Sequence, residues 1–520
     1  VADTLAAQPA DPVEALLSLS VVDPACGSGH FLLAAARRLA AHVARLSAKG
    51  SPSAAEYRHA LRQVVSRCIY GVDLNPMALE LCRVSLWMEA VEPGRPLSFL
   101  DAHLQHGNAL LGATPALLAG GIPDAAWEPI EGDDKKIASA LKKKNKAERT
   151  GQGVLDTLWS TAPANATASF ATAVAALELQ PDYDLDAVRR KAAGWASLQT
   201  SDAARRARFA ADTWCAAFIW PKHPGALEHA PTHRVWSELA AGRIHPSETI
   251  ARTVESLAAR YHFFHWHLAF PHVFARGGFD VVLGNPPWIA HAGRAAQPLP
   301  GGVKKLFEFT CESFADFPTT HGMFIGVIPR YVRQLGRLGL IVPSSVSELG
   351  GYHPTRTAHD KLCDFPGELT DFGEGQFPGV IQPCMALVSQ RTHHGRGPSV
   401  VGTPWPVARP DLTPADRQLI ARLSLLPKIP SDLFAERGFQ SDKASASAFL
   451  ESLTPTERFS TPIREGSDIR EFRLLPPRLH IDRDALGASI RSTDEYMAVK
   501  ALIRQTAQYP IAAISDGLPF

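Results

Sequence analysis

What most limits the fold of this chain is a unit that recurs along it: a short apolar run that stops at a glycine or proline turn. The first is VVDPACGSGHF, beginning at Val21, after which Phe31, Ala35, Leu39, Val43 and Leu46 recur at helical spacing. The second is CIYGVDLNP, followed by a helix with Leu79, Cys82, Leu86 and Ala90 on one face. LSFLDAHLQHGNALLG supplies a third strand, FDVVLGNPPW a fourth and LGRLGLIVPSSV a fifth. GELTDFGEGQFPGVIQPCMALVSQ reads as two strands joined by a Pro/Gly loop. Near-continuous apolar runs are the mark of strands buried on both faces. Strands that alternate with helices imply an α/β fold, a parallel, doubly wound sheet with ligands at the carboxyl ends of its strands.

The alternation is interrupted once. Between the third and fourth strands, from 113 to 278, lie about 165 residues where one helix would suffice. The stretch holds a charged run, EGDDKKIASALKKKNKAER, then alanine-rich helical segments, and closes on YHFFHWHLAFPHVF, so a mostly helical subdomain is expected. The chain divides accordingly into 1–112, the first part of the sheet core; 113–278, the insertion; and 279–396, the second part of the core. A proline-rich, linker-like stretch, 397–432, and a last region, 433–520, follow. With 520 residues and 45% hydrophobic content the chain can bury a large core, and two to four domains are expected.

Charge is nearly balanced, 53 basic against 52 acidic residues, so contact with a nucleic acid must come from local patches such as KKIASALKKKNKAER. The seven cysteines, Cys26, Cys68, Cys82, Cys215, Cys311, Cys363 and Cys384, form no CxxC pair, which argues against a zinc site or a disulfide framework and fits a reducing cytosol. No run has membrane-spanning length and no leader is evident, so the expected location is cytoplasmic, with no membrane partner. His262, His265, His267 and His272 lack metal-binding spacing, and packed or surface roles are expected, with no metal. Pro123, Asp124, Asp133 and Lys135 match a nuclease pattern in order, but the residues between them have no strand pattern; a solvated charged loop is expected.

Three segments carry chemistry. In DPACGSGHF the small residues Ala25, Gly27, Ser28 and Gly29 let a ligand approach the backbone, and the following helix presents its amino terminus. GxGxxG spacing and a P-loop lysine are both missing, which favours a carboxylate and a sulfonium over a pyrophosphate. Asp73 ends the second strand, where a carboxylate can accept both hydroxyl hydrogens of a ribose. In NPPW the fixed φ and missing N–H of Pro286 and Pro287 make a rigid step. Asn285 and the Pro286 carbonyl can accept the two hydrogens of an amino group, and Trp288 offers a flat face for a planar ring. The ligand implied is an amino-bearing heterocycle or a planar amide.

DPACGSGHF, GVDLNP, HGNALLG, FDVVLGNPPW and LGLIVPSS occur in the order seen in gamma-class adenine-N6 DNA methyltransferases, which the chain resembles from about residue 18 to 390. The flanks LDAHLQHGNALLGATP and FHWHLAFPHVF resemble large bacterial methylases of type IIG restriction-modification systems and of BREX and DISARM phage defence. The resemblance implies a class I, Rossmann-like S-adenosylmethionine-dependent methyltransferase sheet with a large helical insertion and a partial carboxyl-terminal recognition region. Carried over by position, Asp23, Pro24, Ala25, Cys26, Gly27, Gly29 and Phe31 would wrap the methionine end of S-adenosylmethionine, with Asp73 and Leu74 at the ribose and Asn108 and Leu110 near the adenine. Asn285, Pro286, Pro287 and Trp288 would form the catalytic step, with Trp288 and Phe377 stacking on the two faces of a flipped target adenine. Asn108 stands where aspartate is usual, and His267 and His272 where glutamate is frequent.

The resemblance implies double-stranded DNA as partner, with other subunits of a defence system as further candidates. Two other readings are a protein-glutamine N5-methyltransferase, which uses a similar NPP motif on a planar amide, and a non-catalytic DNA-specificity or scaffold subunit. The aromatic-Thr-Pro segment expected upstream of Asp23 is missing, and IREGSDIREFRLLPPRLHI resembles the opening of a recognition region that should run beyond Phe520. Weak methylation with little sequence preference, and no DNA cleavage with magnesium, are therefore expected of this stretch of chain.

Overall fold

The computed structural model describes residues 1–152, 162–293, 296–408, 413–426, 448–452, 454–486, 490, 492–503 and 511–520. The chain forms two compact units, Val1–Asp411 and Leu412–Phe520.

The first unit is built on one sheet of nine strands: β1 (Val21–Asp23), β2 (Ile69–Asp73), β3 (Leu104–His106), β4 (Phe279–Gly284), β5 (Val332–Pro343), β6 (Cys363–Asp364), β7 (Leu369–Gly373), β8 (Cys384–Arg391) and β9 (Val407–Ala408). The order is β3-β2-β1-β4-β5-β8-β7-β9, with β6 on β8. Strands β3 to β5 in this order run parallel, whereas β8 is antiparallel to β5, β6 and β7. Side-chain alternation along each strand serves two cores. Val21, Ile69 and Leu104 pack with Leu32, Leu39, Val43, Val64, Leu79 and Leu86 from the helices His30–Ala48, Ala54–Cys68 and Pro76–Glu89. Val22, Tyr70, Phe279 and Val282 face the opposite core. Both faces are therefore covered, which is why these strands read as unbroken apolar runs. Local signals set the helix starts: Ser53 and Glu56 form a capping box, and Asn75 caps the helix that Pro76 begins. Each cap is worth about 1 kcal/mol.

The insertion is helical among the described residues, with Lys135–Gln152, Ala162–Glu178, Leu185–Gln199, Asp202–Ile219, His233–Ala240 and Glu248–Tyr261 as its longer elements. It is not a separate subdomain, however. Trp127, Trp214, Phe218 and Trp236 belong to the same core as Val22, Tyr70 and Phe279. The indole N–H groups of Trp214, Trp236 and Trp266 donate to the carbonyls of Gly121, Ala210 and Ala109 at 2.8, 2.9 and 2.9 Å. A buried ionic knot adds to this: His103 Nε2 meets Glu178 Oε2 at 2.8 Å, with Lys191 Nζ 3.7 Å from the same oxygen. His103 Nδ1 donates to the Ile69 carbonyl at 2.8 Å, so both ring nitrogens face acceptors. These neighbours hold the Glu178 carboxyl at about 2 against the opposing effect of burial.

Two other expectations need correction. The stretch 397–432 is not only a linker, because β9 pairs in parallel with β7 and Trp405 is buried in the core, its indole N–H on Asp360. The sheet thus extends past 396, and a helix, Pro414–Ser424, follows. Asp133 is not a solvated loop residue: it accepts from the backbone of Ile130 and pairs with the buried Lys222 Nζ at 3.2 Å. Asp124 instead accepts from the buried Asn145 at 2.7 Å. The two carboxylates are committed to separate contacts within the fold.

In the second unit, β10 (Phe449–Glu451), β11 (Thr461–Ile463) and β14 (Leu479–Ile481) form one antiparallel sheet in the order β10-β14-β11. Two antiparallel pairs accompany it: β12 (Ile469–Arg470) with β13 (Arg473–Leu474), and β15 (Ala501–Ile503) with β16 (Ala512–Ile514). The start of the region expected from 433 lies outside the described residues as far as 447.

Candidate functional site

Because β2, β1 and β4 are parallel neighbours, their carboxyl ends open on one edge, and the loops that follow them meet there. The chain reverses its direction of travel across the sheet between β1 and β4, the position where doubly wound sheets leave a crevice.

The glycine loop is fixed from below. Asp23 Oδ1 accepts the Ala25 N–H at 2.9 Å, and the Cys26 N–H donates to the Val72 carbonyl at 3.0 Å. Asp73 clamps the loop from the neighbouring strand: Oδ2 accepts the Gly27 N–H and Oδ1 the Asn75 N–H, both at 2.8 Å. Gly29, at φ 87°, precedes the helix His30–Ala48, which no side chain caps. An alanine Cβ at Gly29 would stand 2.6 Å from Cys82 Sγ, so both backbone conformation and packing demand glycine here. Above Gly27 the opposite holds, for no atom lies within 4 Å of where a Cβ would be. The loop is packed beneath and open above. Pro24 and Cys26 are buried, Phe31 is half-buried in the first helical turn, and Leu74 is exposed at the rim.

Asp23 also faces β4. A Cβ on Gly284 would meet its Oδ1 at 2.5 Å, so glycine is what allows the first loop and the NPPW loop to touch. Burial pushes the Asp23 carboxyl up to about 7, with a further rise from the Asp73 charge and a partial offset from the Ala25 N–H. Gly284 was not singled out from sequence; its only signal is a glycine directly before Asn285 in a buried strand.

Asn285 Oδ1 is buried and has no hydrogen-bond partner, an exception to the satisfaction rule that points to an absent donor. Pro286 is buried, Pro287 exposed and Trp288 half-buried, with the Trp288 indole N–H directed to the Ile341 carbonyl at 3.4 Å. The backbone beyond is tied to the segment 318–320: the Thr320 N–H donates to Ile289 and the His291 N–H to Pro318, at 2.8 and 2.9 Å. Phe377 does reach Trp288, with centroids 5.8 Å apart, but the rings stand at 87°. They are an edge-to-face pair, as aromatic quadrupoles prefer, and not two parallel faces with room for a base between them.

Asn108 lies at the end of β3, where its Oδ1 accepts the Leu110 N–H at 3.1 Å and its own N–H donates to the His262 carbonyl at 2.8 Å. Leu110 is half-buried against the core. The end of the insertion thus zips along HGNALLG: the Phe264 N–H donates to Leu111 at 2.7 Å, and a Cβ on Gly112 would strike the Phe264 carbonyl. The neighbouring histidines are structural. His265 accepts the Ala113 N–H at Nδ1, 3.0 Å, and turns Nε2 to Asp212, 2.9 Å. His272 bonds the Tyr70 hydroxyl at 3.1 Å, and burial pulls its pKa down to about 4 and that of His267 to about 3.

A crevice with a glycine loop open to a ligand, a strand-end aspartate and an unsatisfied amide oxygen fits a small charged cofactor beside a planar amino-bearing group. Residues 67–374 match the family model described as Eco57I restriction-modification methylase, and residues 10–95 match the MmeI DNA-methyltransferase domain. An adenine-specific methyltransferase, PglX, of Streptomyces coelicolor is 37% identical over 73 residues, 14% of this chain and 6% of that protein. Among solved structures, the type IIL restriction-modification enzyme MmeI in complex with DNA is 12% identical, covering 76% of this chain and 33% of the other at a TM-score of 0.30. The chain spans only part of the proteins it matches.

Proposed function

Because this chain belongs to the family of Eco57I restriction-modification methylases, we propose that it transfers a methyl group from S-adenosylmethionine to N6 of adenine in double-stranded DNA, within a restriction-modification or phage-defence system. The observation that carries this reading is Asn285 Oδ1, buried and unpartnered, in the loop that the Asp23–Gly284 approach brings beside the open glycine loop. S-adenosylmethionine supplies an electrophilic methyl group. Residues 23–31, with Asp73 and Leu74, would hold its methionine and ribose, and Asn108 and Leu110 border the adenine side. Asn108 would act there mainly through its backbone, since Oδ1 already accepts the Leu110 N–H.

In this reading the target adenine leaves the duplex, for its amino group is inaccessible to a crevice at the sheet edge while stacked. The Asn285 oxygen and the Pro286 carbonyl accept the two N6 hydrogens. They aim the nitrogen lone pair and stabilise the positive charge that develops on nitrogen during transfer. Trp288 provides one stacking face, and Phe377 must turn out of its perpendicular contact to provide the other. The test is labelled methyl transfer to duplex DNA by the parent and by Asn285→Ala. Transfer by the parent that the substitution nearly abolishes supports the reading, and near-parental turnover in Asn285→Ala overturns it.

A further inference from the structure

Resting on that reading of the chain as a DNA methyltransferase, we propose that the hairpin of β12 and β13 in the second unit is a base-contacting ribbon, which enters the major groove with Phe472 at its tip and Arg470 and Arg473 beside it.

The two strands pair Ile469 with Leu474 and Arg470 with Arg473, leaving Glu471 and Phe472 as the turn. Phe472 is 93% exposed, the highest value for a large hydrophobic residue among the described residues, and has φ 57°. Turn chemistry ordinarily puts glycine or asparagine at such a position. A bulky aromatic there gains nothing from burial and strains the backbone, so folding gives no reason for it. The tip is nevertheless held firmly. The Phe472 N–H donates to the Ala512 carbonyl at 2.9 Å, and Ile469 and Leu474 pack with Leu502, Ile511 and Ala513.

Charge favours a nucleic acid. The unit's neighbouring arginines are committed: Arg458 to Asp482 at 2.8 Å, Arg464 to Asp516 at 3.0 Å, Arg478 to Asp468 at 3.6 Å. Arg470 and Arg473 are exposed and form no ion pair among the described residues. With Glu471 they surround Phe472 with three exposed charged side chains. A two-stranded ribbon fits the major groove, where an arginine fork reads guanine O6 and N7, a carboxylate accepts from cytosine N4, and an apolar ring packs on thymine methyl groups. In a chain with 53 basic and 52 acidic residues, DNA contact has to be local in this way.

The experiment uses the 520-residue chain to select duplexes from a random-sequence pool and measures affinity for selected and unselected duplexes across a salt series, with cofactor affinity and thermal melting alongside. Phe472→Gly suits the backbone, so it should keep or raise the melting temperature while weakening binding to the selected duplexes by about 10- to 100-fold. Phe472→Asn, which also tolerates this backbone, replaces it if the glycine variant unfolds. Arg470→Gln with Arg473→Gln should relax the base preference of the selected duplexes while leaving the slope of log affinity against log salt nearly unchanged. A folded Phe472 variant that binds duplex as tightly as the parent overturns the proposal alone, and so does one that changes only self-association. A parent that binds no DNA overturns it together with the methyltransferase reading, whereas a parent that binds DNA without methylating it removes only the latter.

Discussion

Replacing Asp23 with asparagine should make the first unit more stable at pH 8, although it deletes a buried carboxylate. Burial raises this carboxyl from its ordinary 3.8 to about 7, whereas in the unfolded chain it returns to the ordinary value. Between those limits the folded protein keeps a proton that the unfolded chain has released. The contribution of Asp23 is thus fully present below about pH 4 and is lost as the pH rises through 7. Three units at about 1.4 kcal/mol each make the loss about 4 kcal/mol. His267, His272 and His321, held by burial at about 3, about 4 and about 4, act with the opposite sign: their contribution is present above their ordinary 6.5 and is lost as the pH falls. The parent's own profile therefore mixes the two, but the difference between the parent and Asp23→Asn isolates Asp23. Urea unfolding followed by tryptophan fluorescence is the assay, since all ten tryptophans precede residue 412 and report only the first unit. Between pH 4.5 and 8 the stability difference should move about 3 kcal/mol in favour of asparagine, the first part of the loss having occurred below pH 4.5. A difference that stays flat across this range refutes the argument. If the proposed cofactor site is right, the cationic cofactor should also bind the parent more tightly as the pH rises through 7, and the asparagine variant should lose that dependence.

Asn285→Ala should leave stability within about 1 kcal/mol of the parent, because Oδ1 has no partner in the protein to lose, while cofactor affinity measured by calorimetry stays unchanged and methyl transfer nearly vanishes. Gly284→Ala should weaken cofactor binding at least tenfold, since its Cβ would stand 2.5 Å from Asp23 Oδ1; calorimetry checks it. Glu178→Gln breaks the buried contact with His103 and Lys191 and should cost about 3 kcal/mol in urea unfolding. Trp288→Ala and Phe377→Ala should each cost about 1 to 3 kcal/mol of base stacking, read as a changed 2-aminopurine fluorescence at the target position; two unchanged signals would remove both residues from the base site.

The sheet was legible because its strands are buried on both sides. Val21-Val22, Ile69-Tyr70 and the run from Phe279 each show as unbroken apolar stretches whose ends carry the turn residues. The site loops were legible for the same reason, as Asp23, Asp73 and Asn285 stand where those runs stop. What escaped was whatever depends on pairs distant in sequence. Nothing near His103 announces Glu178, and nothing near Asp133 announces Lys222, so the buried knot left no sign and Asp133 was read as part of a solvated loop. The union of the insertion with the sheet core escaped likewise, because tryptophans at helical spacing are apolar whichever body they join. For Phe377 the sequence identified a neighbour of Trp288 but not an angle, which only packing decides.

The pairing of β1 with β4 sets a schedule for the ribosome. Val21 must wait for Val281, 260 residues later, and at about 5 to 20 residues per second that is roughly 13 to 52 s of synthesis. During that interval the nascent chain can pair β1 with β2 and β2 with β3, yet the other edge of β1 has no strand to meet. A chaperone that shields this edge should therefore raise the yield more than one that acts after release. Slowing translation within the insertion would prolong the exposure, so synonymous codon choice between residues 113 and 278 should influence how much of this protein a cell recovers folded.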